Sequence, residues 1–353
     1  MAKAILGIDI GYDNFKLVLT KGDSVEATYV GRVPEKIIKN GRVVSPEAMG
    51  ELIRKTLKDE AIKAKYAAIT LPDETVYVKN VTMPQMTADQ LLYNLPYEFK
   101  DYITEELRDY VYDYAMISTK EEMLSAQNKS DAAKESDKAT VADEDDFAGE
   151  DGASMDLIAV AARKDMIEEY TEIARKAGLK LIKAAPGICG YIPFINRMDG
   201  GEKKDYCMLD LGYNSIRMYM FKGDIYKTSR ELEIGLCLLD SVISDAKGVD
   251  IHLAHTYLLN NHEDCQTLEA CTEAYERIAV ELMRALNFYQ FSNPDSNITD
   301  IWISGGGAAN KPLMDMIRQT LSEVTLHDAG ELLAGSDDEN GALVIQAAGV
   351  AIG

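Results

Sequence analysis

The stretch LGIDIGYDNFKLVLTKGD, Leu6 to Asp23, returns two hundred residues later as MLDLGYNSIRMYMFKGD, Met208 to Asp224. The register holds throughout: Asp9 matches Asp210, Gly11 matches Gly212, Tyr12 matches Tyr213, and Lys21, Gly22 and Asp23 match Lys222, Gly223 and Asp224. One long-period repeat points to two halves of related architecture, because a solenoid needs several short repeats. In the first copy, β-rich runs over residues 4 to 10 and 15 to 20 flank the turn Gly11 to Asn14, which reads as a hairpin. A glycine two places after the aspartate lets backbone N–H groups face an anion with no side chain in the way. Two such turns set against each other form a phosphate clamp. A carboxylate cannot hold phosphate directly, but it holds Mg²⁺ through the ion's waters while Mg²⁺ bridges phosphate oxygens. Asp9 and Asp210 suit that role, and Lys16 is the candidate phosphate contact, with Arg217 at the matching place after Asp210.

At 353 residues the chain exceeds the span of a single hydrophobic core, so two or more domains are expected. The net charge of −22 argues against nucleic acid or an anionic lipid surface as the main partner, since both are bound through Lys and Arg. An anion is therefore to be held locally, by backbone amides and metal. No apolar run reaches the roughly 18 residues of a membrane span, and the N-terminus leads straight into a strand without a signal peptide's regions. A cytoplasmic location without direct membrane insertion is predicted. Five cysteines with no framework spacing fit reduced thiols.

Along the chain, Ser45 and Pro46 start a helix with the apolar stripe Met49, Leu52, Ile53 and Leu57, and a strand follows over Tyr66 to Thr70. Pro84 introduces a segment of different character, with a helix from about Thr87 to Tyr93 and the run YVYDYAMI, where Tyr110, Tyr112 and Tyr114 share one sheet face. It reads as an inserted subdomain. Between Lys120 and Asp151 there are eleven acidic residues against four lysines and almost nothing large and apolar, so 118–154 is predicted to be a disordered loop. The strand MDLIAVAA and a helix from about Asp165 to Lys176, closed by Gly178, restore order. The second half begins at Tyr206. Helices are predicted over Leu236 to Leu259 and Leu268 to Phe291, then the strand DIWIS, a helix near Pro312 and the small-residue helix LVIQAAGVAIG.

The strand DIWIS runs directly into Gly305, Gly306 and Gly307, and consecutive glycines there permit close approach of a flat ligand and its α-phosphate. In the order hairpin, hairpin, triple glycine, the three segments resemble the nucleotide site of the actin-like ATPase superfamily. VAARKDMIEEYTEIARKAGLK after an inserted segment, the pair Met83–Pro84 and the ISGGGA ending narrow the resemblance to the PilM family of type IV pilus assembly, relatives of FtsA. The likeness covers nearly the whole chain apart from the acidic loop. It implies an α/β actin-like ATPase fold of two RNase H-like domains, 1–200 and 201–353, with a subdomain inserted at about 81–164 and a helical subdomain at about 236–297. It also implies ATP with Mg²⁺ between the domains, held by Asp9, Gly11, Tyr12, Asp13, Asn14, Lys16, Asp210, Gly212, Tyr213, Asn214, Ser215, Gly305, Gly306 and Gly307. The implied partner is a PilN-like inner-membrane protein, whose cytoplasmic N-terminal peptide docks on the first domain, and self-association is left open. The protein would then sit at the inner face of the membrane through its partner. FtsA-like proteins carry a C-terminal amphipathic membrane helix, and the ending AAGVAIG favours the PilM reading.

The chain departs from the family after each Asp-x-Gly, where Tyr12, Asp13, Asn14, Tyr213 and Asn214 stand in place of the usual small Ser or Thr residues. A carboxylate at Asp13 beside a triphosphate is repulsive unless it turns outward or joins the metal's shell. Active ATPases of the superfamily also set an acidic or amide side chain near the first interdomain crossing. The crossing KAAPGICG has none, so weak or absent hydrolysis is expected. Small residues Ala184, Ala185, Gly187 and Gly190 at that crossing, and Ala347, Ala348, Gly349 and Ala351 at the other, predict closely crossing segments that act as a hinge. His252, His255, His262, Cys265 and Cys271 cluster within twenty residues, but their spacing matches no compact zinc pattern. The competing readings are an FtsA-like or filament-forming ATPase and a small-metabolite kinase, the latter requiring a catalytic aspartate over an acceptor hydroxyl.

Overall fold

Both copies of the repeated phrase fold as antiparallel hairpins, β1 (Ala4–Ile10) with β2 (Asn14–Lys21), and, in the second half, Asp205–Leu211 with Ile216–Lys222. The computed structural model describes residues 3–34, 37–39, 42–117, 154–198, 204–223, 225–333 and 340–352. The acidic stretch expected to be disordered lies outside them up to residue 153. Two compact units are present, residues 1–74 with 166–353, and residues 75–165.

The larger unit contains two sheets of the same topology. In the first, β3 (Ser24–Arg32) extends the hairpin antiparallel, while β4 (Tyr66–Leu71) pairs parallel to β1. Apart from a short antiparallel pair, Ile38–Lys39 with Arg42–Val43, the remaining strands, in chain order, are β5 (Val76–Pro84), β6 (Tyr110–Met116), β7 (Ser154–Arg163), β8 (Lys180–Pro186), β9 (Asp205–Leu211), β10 (Ile216–Lys222), β11 (Ile225–Leu232), β12 (Ile298–Ser304) and β13 (Thr325–Asp328). The first sheet runs β8-β4-β1-β2-β3 and the second β13-β12-β9-β10-β11, so each is a three-stranded meander followed by two parallel strands. This is the RNase H-like pattern, present twice. The sequence repeat is thus a repeat of architecture. The parallel strands are near-continuous apolar runs, as burial on both faces demands: Leu6 and Ile8 of β1 and Cys207 and Leu209 of β9 are fully buried.

Helices follow the apolar stripes. In α1 (Pro46–Asp59), Met49, Ile53 and Leu57 face inward, with Ser45 at the N-cap position and Pro46 at the first turn, although the Ser45 hydroxyl makes no capping bond. The helix expected over Leu236 to Leu259 is two helices, Cys237–Lys247 and Ile251–Asn260. Gly248 at φ 64° ends the first, and the Asp250 carboxylate caps the second by accepting from the His252 and Leu253 amides, so the break is encoded by both residues.

The smaller unit is a three-stranded antiparallel sheet, β5-β7-β6, with α2 (Ala88–Glu98) packed on it. Thr87 and Gln90 form a reciprocal capping box at the helix start. The helix runs past the expected end at Tyr93 and through Pro96, because Leu91, Leu95 and Phe99 continue a four-residue apolar spacing into the core. Tyr110 is buried, and Tyr112 and Tyr114 pack against the same cluster, so these tyrosines serve their own core.

The other helices, in chain order, are α3 (Lys164–Lys176), α4 (Ile192–Met198), α5 (Cys237–Lys247), α6 (Ile251–Asn260), α7 (Glu269–Ser292), α8 (Lys311–Thr320) and α9 (Gly341–Ile352). Helix α9 crosses the segment Gly187–Gly190 at backbone contact: a Cβ on Gly349 would lie 1.7 Å from the Gly190 carbonyl oxygen. The small residues of the two crossings therefore pack directly on each other.

Candidate functional site

The two hairpins bring each aspartate opposite its cation, since Asp9 pairs across the strands with Lys16 and Asp210 with Arg217. In the first, the Lys16 ammonium lies 2.7 Å from Asp9 Oδ2, and Asp9 Oδ1 accepts from the Thr70 hydroxyl at 2.8 Å. Burial works against the Lys16 charge, but Asp9, helped by Asp210 and Asp13, outweighs it and raises the amine's pKa. Lys16 is a fixed cation.

The second hairpin is wired differently. Arg217 turns to Asp73, 3.2 Å away, and to Glu231 at 2.7 Å, leaving Asp210 with no donor on its carboxylate among the described residues. Burial pushes the Asp210 carboxyl up to about 6, with Lys16 partly opposing the shift.

A cleft of about 380 Å³ opens where the tips meet. It is lined by Asp9, Gly11, Tyr12, Asp13, Asn14 and Lys16 of the first tip. Asp210, Gly212, Tyr213, Asn214 and Ser215 face it from the second, with Gly305 and Gly306 beside them. The rings of Tyr12 and Tyr213 are 6.3 Å apart. Gly305 has φ 85°, and a Cβ there would fall 2.3 Å from Asp210 Oδ1, so only glycine lets this loop run past the carboxylate. Gly307 is not on the cleft. It is buried against β9, where a Cβ would lie 2.6 Å from Leu211 Cβ, and its smallness serves packing. A bare carboxylate, a fixed ammonium and two turns that each open on a glycine suit a phosphate–Mg²⁺ group held through water.

The repulsion expected of Asp13 is relieved by His255 of α6. The imidazole Nε2 is 3.3 Å from Asp13 Oδ1, and Nδ1 is 2.9 Å from Asp240 Oδ2. Tyr213 donates to the same Asp240 oxygen at 2.7 Å. The Asp13 carboxylate beside Nε2 and the hydrogen bond to Asp240 overcome burial and raise the imidazole to about 9, so it is a cation at neutral pH. Burial alone would raise Asp13, but the His255 imidazolium beside it, with Arg32, leaves it below the usual carboxylate range.

The crossing KAAPGICG, read as having no acidic or amide neighbour, has both. Asp73, from the end of β4, accepts from the Gly187 amide at 2.9 Å, from Arg217 and from the Tyr219 hydroxyl. Gln346 of α9 lines the cleft and donates to the Tyr191 hydroxyl at 2.9 Å. The crossing's own residues include neither group, because Asp73 and Gln346 arrive from two other segments. The end of a parallel strand, where α/β folds gather ligand-facing groups, was the available signal for Asp73.

The His and Cys cluster disperses. Cys265 and Cys271 are in the hydrophobic core, His255 belongs to the cleft, and His262 stacks on Tyr257 at 4.3 Å. Among the described residues no group of three or more His, Cys, Asp or Glu side chains is placed to hold a metal ion without help from a ligand.

Two RNase H-like sheets around a cleft floored by paired aspartates define the actin-like ATPase fold. A family model described as type IV pilus assembly protein PilM matches residues 7–145 and 145–329, and the chain belongs to that family. No curated protein matches it in sequence. Among solved structures it is similar to a PilM–PilN type IV pilus biogenesis complex, with 20% identity over 99% of this chain and 97% of that one, at a TM-score of 0.79. It is also similar to the ethanolamine utilization protein EutJ from Carboxydothermus hydrogenoformans, 12% identical over 100% and 89% of the two chains, TM-score 0.58. A diol dehydratase-reactivating factor in nucleotide-free form aligns over 99% of both chains at 11% identity and a TM-score of 0.55. At these identities the likeness is one of fold. Among the described residues no helix is long and apolar enough to cross a membrane.

Proposed function

We propose that the cleft binds ATP with Mg²⁺ and that the protein is a nucleotide-controlled scaffold of type IV pilus assembly, docking the cytoplasmic N-terminal peptide of a PilN-like inner-membrane protein. The observation that carries the nucleotide reading is the convergence of both repeated turns and the Gly305–Gly306 loop on one cleft. Lys16 supplies a charge for phosphate oxygens, the Gly11 and Gly212 turns supply amides, and Asp210 with Asp9 holds the ion's waters. Mg²⁺ there neutralises phosphate charge. A ligand touching both hairpins favours the closed arrangement of the two crossings over an open one, in proportion to its difference in affinity for them.

Asp73 is held by Gly187, Arg217 and Tyr219, and a carboxylate tied up by an arginine and two further donors is a weak base for an attacking water, which supports slow turnover. Peptide docking is supported by family membership and by apolar side chains exposed on the smaller unit, Leu92, Tyr93 and Tyr97 of α2 with Tyr102. Such a face suits an extended apolar segment. Localisation at the inner face of the membrane would follow from that partner. Calorimetry of the full chain with the leader peptide of the neighbouring membrane protein, with and without MgATP, tests the reading. Binding that changes with nucleotide supports the switch, binding indifferent to it leaves a scaffold only, and no binding in either state removes the scaffold.

A further inference from the structure

Part of the cleft lining is apolar, with Leu236, Leu258, Leu259 and Ala309, and the same lining holds two amide side chains, Asn310 and Gln266. That composition suits a flat base held by apolar contact and oriented by few polar groups. Asn310 is already spent: its Oδ1 accepts from the Leu313 amide at 3.0 Å to cap α8, and its side chain hydrogen-bonds to Tyr275.

Gln266 is held just as firmly but keeps one group in reserve. Its backbone amide donates to Asn261 Oδ1 at 3.0 Å, and its carbonyl accepts from the Tyr275 hydroxyl at 3.3 Å. The side-chain nitrogen donates to the Leu258 carbonyl at 2.8 Å. A backbone carbonyl only accepts, so that bond fixes which end of the amide is nitrogen. The oxygen, Oε1, is left as an acceptor that no donor reaches among the described residues. The segment holding it is strained, with Asn261, Glu263 and Asp264 all at φ between 45° and 52°, as binding segments often are.

Resting on the nucleotide reading above, we infer that Gln266 selects the base, its Oε1 accepting from the exocyclic amine of adenine. Guanine sets a carbonyl oxygen where adenine has that amine, bringing two acceptors face to face. To offer its ring N–H instead, guanine must slide within the apolar slot. Discrimination arises because a positioned acceptor is left unpaired by the wrong base.

The test is a binding series on the full chain with Mg²⁺, using ATP, GTP and purine riboside triphosphate, which lacks only the amine. Wild-type protein is expected to bind the purine riboside analogue about fivefold to tenfold more weakly than ATP, and GTP about tenfold or more weakly. In Gln266→Leu, which keeps the side chain's bulk, the three are expected to converge to within about twofold. Equal binding of the three by the wild type, or unchanged discrimination in Gln266→Leu, overturns the role of Gln266 while leaving the cleft a nucleotide site. Binding of none of the three by the wild type overturns the nucleotide reading itself. The analogue series on the wild type stands whether or not the variant folds.

Discussion

His255 and Asp13 meet across the mouth of the cleft at 3.3 Å, joining a helix of the second half to the tip of the first hairpin. The imidazole is raised from 6.5 to about 9 by its contact with Asp13 and its hydrogen bond to Asp240. A group whose folded pKa is raised contributes stability that is complete below its unfolded value and is lost as pH rises through the folded one. Stability from this contact is therefore full below about pH 6.5 and gone above about pH 9. His255→Gln is expected to lower stability by about 1–3 kcal/mol at pH 6.5 and by little at pH 10, as read by urea unfolding. Equal losses at both pH values would mean that the charge plays no part.

Asp210 carries the opposite sign. Its folded pKa of about 6 lies above an ordinary aspartate's 3.8, so the ionised form destabilises the ligand-free protein above pH 6, and the cost is relieved as pH falls from 6 towards 3.8. Asp210→Asn is expected to raise the unfolding free energy of the ligand-free protein at pH 7.5 by about 1–2 kcal/mol, while weakening the dependence of nucleotide binding on Mg²⁺, since Asp9 remains. Wild-type nucleotide affinity in Mg²⁺ should also fall as pH drops below 6. A variant less stable than the wild type and just as dependent on Mg²⁺ would contradict both roles.

Arg217 is the only cation within reach of the buried Asp73 carboxylate among the described residues. Burial raises that carboxyl and Arg217 opposes the shift. Arg217→Leu removes the positive partner and leaves a buried charge uncompensated, so a loss on the order of 3–5 kcal/mol is expected. Adding Asp73→Asn should recover part of it. Urea unfolding of the single and double variants measures this directly, and additive losses would show that the pair is not coupled.

Tyr93 and Tyr97 are 72% and 60% exposed on one face of α2, with ring centroids 6.4 Å apart. Truncating both to alanine is expected to weaken binding of the leader peptide about tenfold or more without shifting the melting temperature, because neither ring supports the core. Unchanged affinity would move the docking surface elsewhere.

Much of this was legible in the sequence, because the repeat fixes two hairpins and each hairpin fixes which residues reach the cleft. Asp9, Lys16, Asp210 and Arg217 sit at the register their spacing implies. What Arg217 does was not legible, since its choice of Asp73 over Asp210 depends on a turn more than 140 residues away. His255 was visible only as part of a suspected metal cluster. Its true partner, Asp13, comes from the opposite end of the chain, and no local pattern connects them. Gly307 misled for a related reason: a run of glycines does not say which members face the ligand and which face the core.

Gly306 offers the most direct test of the central claim. A Cβ there would meet nothing closer than Leu236 at 3.9 Å and Leu343 at 4.0 Å, so the backbone has room for a side chain, and Gly306→Asp adds a carboxylate to the cleft lining. Titration with fluorescent ATP in Mg²⁺ should saturate in the wild type and fail in Gly306→Asp, with the two proteins melting alike. Saturable binding of equal strength in both would contradict the placement of the nucleotide between the two hairpins.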